Sequence, residues 1–469
     1  MRNKVAATAV LLIGVIAPVR NHSKLMHELL KDPLLGNKFD APWNTHNQRE
    51  DDLHAYKENL PSWMNAYFDW HADQRLNPTN ETQYIVIRCL YGEKCQGLTD
   101  RLKTLPYYVL LANATQRVLL FSWEKPAPLE EFLIPPPKGG LDWRVQGTPV
   151  TNADIHQKKI FDGFCLKNTR GISKDCFHDL STNPEWTSMK VLPVHAKGGR
   201  VTFGWAYQWD QLAWVEEEQH PQHYDIFSDV YKLLFRPSKG VQSMIDLEME
   251  RMKLYPGQYV YAHVRARIPD VLTKGLQHKF GKRKTRHLDK NGIASNDLKG
   301  GLPFRGQVKE HILSVVQNAI HSAALLGGSD LSKNSRSVHE DHALPIYLVS
   351  DTKEAVEHVL KESSGGHSRH LNESTNSLAS LDRSLNIVAS NWTEDILHID
   401  YDGWKGRDPI DFYPAFVEMF IMSKAKCAAF GVGGYGRFPV RIGSINCTFQ
   451  HHNDDGTINT FLSLNESLK

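Results

Sequence analysis

No charge excess marks this chain. In 469 residues, 55 basic side chains face 53 acidic ones, so no overall field argues for wrapping nucleic acid or lying on an anionic membrane. Recognition of a charged ligand must therefore be local. Cysteine is sparse, and none of the six falls in a Cys-x-x-Cys spacing, which argues against a structural zinc site. The one apolar run at the N-terminus, Val5 to Val19, falls short of the ~20 residues of an uninterrupted membrane span. What is present is apolar material, 41% hydrophobic and 10% aromatic residues, enough for two ordinary domains with a core each.

The first twenty residues read as an export signal: Arg2 and Lys4 precede the uncharged run, and Pro18 and Arg20 close it. Its length favours a cleaved signal peptide, yet no small-x-small cleavage site follows. A short signal-anchor, with residues 5–19 in the membrane and the basic end in the cytoplasm, stays open. Two further features agree with export. Sequons stand at Asn21, Asn80, Asn113, Asn372, Asn391, Asn446 and Asn465, each an acceptor for a glycan in the secretory pathway. The cysteines form three sequence-local pairs, expected as Cys89–Cys95, Cys165–Cys176 and Cys427–Cys447, which suits an oxidising lumen.

Residues 21–79 read as a polar stem ending in a helix that carries Trp63, Tyr67 and Trp70 on one face, a face for docking onto the next domain. Tyr84 to Cys89 is a β-branched strand, followed by a glycine-bearing loop, a helical stretch from Leu102 to Thr115 and a strand from Arg117 to Trp123. A second series starts at Gln258: strand YVYAHVRAR, helix 306–326, strand 344–350, helix 352–362, helix 411–423, strand 425–432. Two β-α-β runs imply an α/β protein with two Rossmann-like domains facing across a cleft, residues 80–255 and 256–450, then a tail at 451–469. Trp186, Trp205, Trp209 and Trp214 lie between the runs and read as packing or, alternatively, as an acceptor platform. The basic stretch 274–299 and the serine-rich 363–384 read as loops.

Three loops follow predicted strands, where ligands of parallel sheets bind. The first holds Gly92, Gly97, Asp100 and Arg101, a strand-to-helix turn whose amides can meet an anion. The second is His263, Arg265 and Arg267, placed on one face by alternation, a fork of donors suited to a diphosphate. The third runs from Ala425 to Phe438, where Gly431, Gly433, Gly434 and Gly436 let main chain approach a phosphate and Arg437 follows. Upstream, Glu418 sits in the apolar neighbourhood of Phe416, Met419 and Phe420. A buried carboxylate needs partners, and guanine offers two donors.

Together these loops resemble the GDP-fucose-dependent fucosyltransferases of the GT-B fold, the superfamily of plant xyloglucan, core α1,6, protein O-fucosyl and nodulation-factor enzymes. GLTDRLKTLPYYVLLANATQRVLLFSW is similar to the plant loop, helix and strand; HVRAR to the His-x-Arg motif; LVSDT to the strand ending in Ser-Asp; SKAKCAAFGVGGYGRF to the last motif. The resemblance implies transfer of fucose from GDP-fucose to a glycan or glycoprotein, in the Golgi lumen, by a type II membrane or secreted protein. It implies Arg265 as β-phosphate ligand, His263 beside it, Asp351 orienting the arginine, and Glu418 on guanine. Gly97, Asp100, Arg101, Ser350, Gly433, Gly434, Arg437 and Phe438 complete the expected nucleotide-sugar site. Thr99 replaces the plant loop's second glycine, and Gly433 and Gly434 stand where serines are frequent.

No general base is visible. Asp400-Tyr401-Asp402 has the form of a metal-binding D-x-D, but the arginine motif already neutralises phosphate, so no metal is expected. Another nucleotide sugar, or a lumenal glycan-binding protein without turnover, are the alternatives.

Overall fold

The computed structural model describes residues 52–137, 139–161, 182–196, 226–265, 306–328, 343–363, 385–392, 396–397, 399, 402–431, 433–452 and 459. The N-terminal run, the Cys165–Cys176 pair, Trp205, Trp209, Trp214, Arg267, the 274–299 stretch, Asn372 and Asp400 lie outside them. In chain order the elements begin with α1 (Asp52–Glu58), α2 (Ser62–Leu76), β1 (Gln83–Cys89), α3 (Leu98–Leu102), α4 (Leu105–Ala114), β2 (Arg117–Trp123) and β3 (Leu133–Ile134). Next come α5 (Asn152–Ile155), α6 (Pro184–Thr187), β4 (Val191–His195), α7 (Phe227–Leu234), β5 (Arg236–Pro237) and α8 (Lys239–Met252). The rest are β6 (Val260–Val264), α9 (Gly306–Leu326), β7 (Ile346–Ser350), α10 (Lys353–Ser363), β8 (Ile387–Val388), α11 (Tyr413–Ser423), β9 (Cys427–Phe430), α12 (Gly434–Ile442) and β10 (Cys447–Gln450).

Two parallel sheets result. The first has the order β2-β1-β4, the second β10-β9-β6-β7-β8, and β3 pairs antiparallel with β5. The central strands β1 and β6 are buried on both faces, as continuous apolar runs in parallel sheets must be. The helix expected over 102–115 is split, because Lys103 and Thr104 turn the chain between α3 and α4. Helix α2 docks as its aromatic face required: Tyr67 is buried and its hydroxyl donates to the Arg117 carbonyl at 2.9 Å, while His71 Nε2 meets Leu119 O at 3.0 Å. Trp186 meets Phe161 edge-on at 5.5 Å, with the Lys159 ammonium over the Trp186 ring at 5.1 Å.

One hydrophobic cluster runs without a break from Leu53, under β1 and β2, through α7, α8, α11 and α12 to Ile445, so the two sheets share a core. A second cluster lies between α9 and β6, β7 and β9. Phe132, which follows the 129–131 turn, stacks on Phe416 of α11 at 4.4 Å with the rings nearly parallel. Ser228 of α7 donates to the Ile442 carbonyl at 2.9 Å. The disulfides Cys89–Cys95 and Cys427–Cys447 are formed as expected; the second joins the adjacent strands β9 and β10. Of the described sequon residues, Asn80, Asn391 and Asn446 are exposed and Asn113 is half-buried. Among the described residues no helix is long and apolar enough to cross a membrane.

Phe132 is fully buried between the two halves. Its truncation to alanine is expected to remove about 3–5 kcal/mol, the usual cost of deleting a buried phenyl ring. Denaturant melts of Phe132→Ala against the parent chain measure this.

Candidate nucleotide site

In the five-stranded sheet, β6 leads through α9 to β7 on one side, while β9 pairs on its other side. The chain thus reverses its direction of winding between β6 and β9, and a crevice opens at their carboxyl ends. That crevice receives Arg265, the residue after β6, and the Gly431–Gly434 turn after β9. Their proximity depends on missing side chains. A Cβ on Gly433 would come within 2.4 Å of the Arg265 guanidinium, and Gly433 also holds φ +89°, a backbone angle that side chains disfavour. A Cβ on Gly436 would fall 2.3 Å from His263 Nδ1.

The two HVR residues differ sharply. His263 is buried, its ring 5.7 Å from that of Tyr435, its Nδ1 without a hydrogen bond. Burial, helped by nearby His451 and Arg265, pushes it down to about 3, so it is a neutral packing element beneath the site. Arg265 is half-buried, and among the described residues nothing pairs with its guanidinium. A fixed cation without a counterion at a sheet's switch point is able to receive an anion.

Beside it lies an open pocket of about 640 Å³, mouth included, lined by Arg251, Ser350, Lys353, Asn391, Trp392 and Glu418 among others. Glu418 projects from the otherwise apolar α11 and is 3% exposed. Its Oε1 accepts from the Trp392 indole at 2.8 Å, while Oε2 has no partner. Burial pushes its carboxyl up to about 8; the Trp392 bond opposes this, and Glu248 and Asp351 reinforce it. The pocket wall is braced by Arg251, which bonds Glu248 Oε2 and the Ala389 carbonyl, each at 2.7 Å. Tyr435 stands between the two parts of the site: its ring faces His263, and the Glu418 charge helps, after burial, to raise its hydroxyl.

Not every expected residue reaches this place. Asp351, the residue after β7, bears electrostatically on Glu418. Ser350 lines the pocket and accepts from Thr352 N–H at 3.2 Å. Gly434 begins α12 and Gly433 caps it. Arg437 turns to Gln450 at 2.8 Å and lies over Phe430. Phe438 is fully buried against Phe227 and Tyr231, so it packs α12 on α7 instead of lining a ligand. In the first loop, Gly97 caps α3 in an extended conformation and Asp100 pairs with Lys103 at 2.6 Å. Arg101 is fully buried, donating to the carbonyls of Gln96, Lys125 and Ile399 over the Trp123 ring. That guanidinium cross-braces the fold. Trp392, Arg251, Glu248 and Tyr435 were not anticipated; only the GYG run placed one of them near a predicted loop. Among the described residues no three His, Cys, Asp or Glu side chains gather to hold a metal ion.

No family model and no curated protein matches the chain. Solved structures similar to it include a point mutant of Arabidopsis thaliana FUT1 in complex with GDP, 12% identical over 82% of this chain and 78% of that one, TM-score 0.43. The NodZ α-1,6-fucosyltransferase soaked with GDP-fucose is 12% identical over 77% and 92%, TM-score 0.37. POFUT1 in complex with GDP is 11% identical over 79% and 99%, TM-score 0.33.

The buried histidines give the fold an acid limit. His263 titrates at about 3 in the folded chain against 6.5 ordinarily, and burial likewise lowers His71 and His451 to about 4. Unfolded chain therefore binds more protons between these values, so stability is whole above about 6.5 and drains as pH falls toward 4. Melts across this range should show that slope, reduced in His263→Asn.

Proposed function

We propose that this chain is a GT-B glycosyltransferase that moves fucose from GDP-fucose to a glycan or glycoprotein acceptor, with inversion. The observation that carries the reading is the Arg265 guanidinium, held over Gly433 at the switch point with no counterion among the described residues, beside a pocket lined by Glu418, whose buried Oε2 has no hydrogen-bond partner. A nucleoside diphosphate answers both. Its β-phosphate would take the bidentate fork of Arg265, stabilising the leaving group as the glycosidic bond breaks. Its guanine would give N1–H and N2–H to Glu418, which no other common base can do in the same way. The ordered motifs HVRAR, LVSDT and GVGGYGRF support the same donor.

In this reading residues 256–450 bind the donor and residues 80–255 the acceptor, without a required metal. The two formed disulfides and the exposed sequons at Asn80 and Asn446 support passage through the secretory pathway, with the Golgi lumen as destination.

Calorimetric titration with GDP, UDP, CMP and ADP tests the donor. GDP alone should bind, and Arg265→Ala should weaken it roughly 10- to 100-fold, the value of a charge-assisted hydrogen-bond pair. Binding by UDP alone would keep the fold and replace the sugar donor; no nucleotide binding would favour a glycan-binding protein.

The raised Glu418 adds a pH signature. Guanine donors require its ionised form, so GDP affinity should climb as pH rises to about 8 and level above it, with a proton released on binding below that value. Glu418→Gln should abolish both the climb and the release.

A further inference from the structure

The carboxyl edge of the three-stranded sheet holds a second group of titratable side chains. Arg88 of β1 and His195 of β4 are partners in register, and Glu93 folds back over them from the loop after β1. Glu93 Oε1 lies 2.7 Å from Arg88 Nη2; Oε2 accepts from Leu90 N–H at 3.0 Å and stands 3.4 Å from His195 Nδ1. The loop itself is fixed by the Cys89–Cys95 bridge and by Lys125, whose ammonium donates to the Glu93 carbonyl at 2.7 Å. Burial pushes Glu93 up, but the bonds from His195 and Leu90 and the Arg88 charge outweigh it and hold the carboxyl at about 2. Glu124 and His156 lie 2.7 Å apart after β2 and are partners of each other.

With Nδ1–H turned to Glu93, the His195 imidazole presents Nε2 as an acceptor. Its side chain is 21% exposed, and among the described residues Nε2 has no partner. The edge adjoins the donor side: Lys405 lies over the Tyr91 ring at 5.5 Å and Arg101 reaches the Ile399 carbonyl at 3.3 Å. Ile399 lies three residues after Ile396 of the pocket wall.

We propose that His195, oriented by Glu93, is the general base that accepts the proton of the acceptor hydroxyl. The assignment rests on the GDP-fucose reading above. As the acceptor oxygen bonds to the anomeric carbon of fucose, its proton passes to Nε2. The bond from that carbon to the β-phosphate oxygen breaks, and its electron pair leaves with GDP. Glu93 stabilises the imidazolium, which returns the proton to solvent.

The full chain, incubated with GDP-fucose and with water standing in for the acceptor hydroxyl, gives the test through GDP release. His195→Ala should keep the GDP affinity of the parent chain but slow release roughly 10²- to 10⁴-fold, the range of general base catalysis, and added imidazole should restore part of it. Glu93→Gln should slow release with GDP affinity unchanged. Release by His195→Ala within twofold of the parent rate overturns the assignment, as does slow release that imidazole fails to raise. A parent chain that neither binds GDP nor releases it from GDP-fucose overturns the donor reading, and the base with it.

Discussion

The N-terminus of α12 lies against the end of β6 at a distance that only glycine permits. Gly433 and Gly436 leave room for Arg265 and His263, and any larger residue would have to displace a guanidinium or a buried imidazole. This contact sets the position of Arg265. It also brings Tyr435 between His263 and the α11 carboxylate, with its hydroxyl donating to the Ala415 carbonyl. The Cys427–Cys447 bridge holds the neighbouring strands β9 and β10 together, and Tyr261 braces α12 from below by donating to the Gly436 carbonyl at 2.7 Å. Arg265 is thus set against a helix start at the end of a strand, which suits a group that must meet developing charge without reorganising.

Two kinds of buried ionisable residue serve different ends here. Arg101 and Arg117 are buried with their guanidinium groups bonded to main-chain carbonyls, so they hold segments together and are closed to a ligand. Glu418 keeps one oxygen unsatisfied, a costly state in a folded chain unless something else fills it. The same contrast separates Arg265 from Arg437, which is engaged with Gln450.

Much of this was legible in the sequence because local periodicity and pairing suffice for it. Strand β2 and helix α9 fall on the expected residues, and two short-range cysteine pairs close as expected. The crevice between β6 and β9 was legible as well, since loops after strands in a β-α-β series must gather at one edge. What could not be read was the destination of each polar side chain. Arg101 finds Ile399, nearly three hundred residues away, and Phe438 finds Phe227; no spacing encodes such partners. The glycines were read as room for a phosphate, whereas Gly433 and Gly436 make room for this chain's own Arg265 and His263. Trp392, the partner of Glu418, sits in the Asn391 sequon, and nothing in its local sequence marks it as a carboxylate partner.

A guanine nucleotide spanning Arg265 and Glu418 would show itself in a crystal structure of the protein grown with GDP, with the β-phosphate on the Arg265 guanidinium and the guanine edge on the Glu418 carboxylate beside Trp392. GDP bound elsewhere, or oriented with its base away from Glu418, would contradict it.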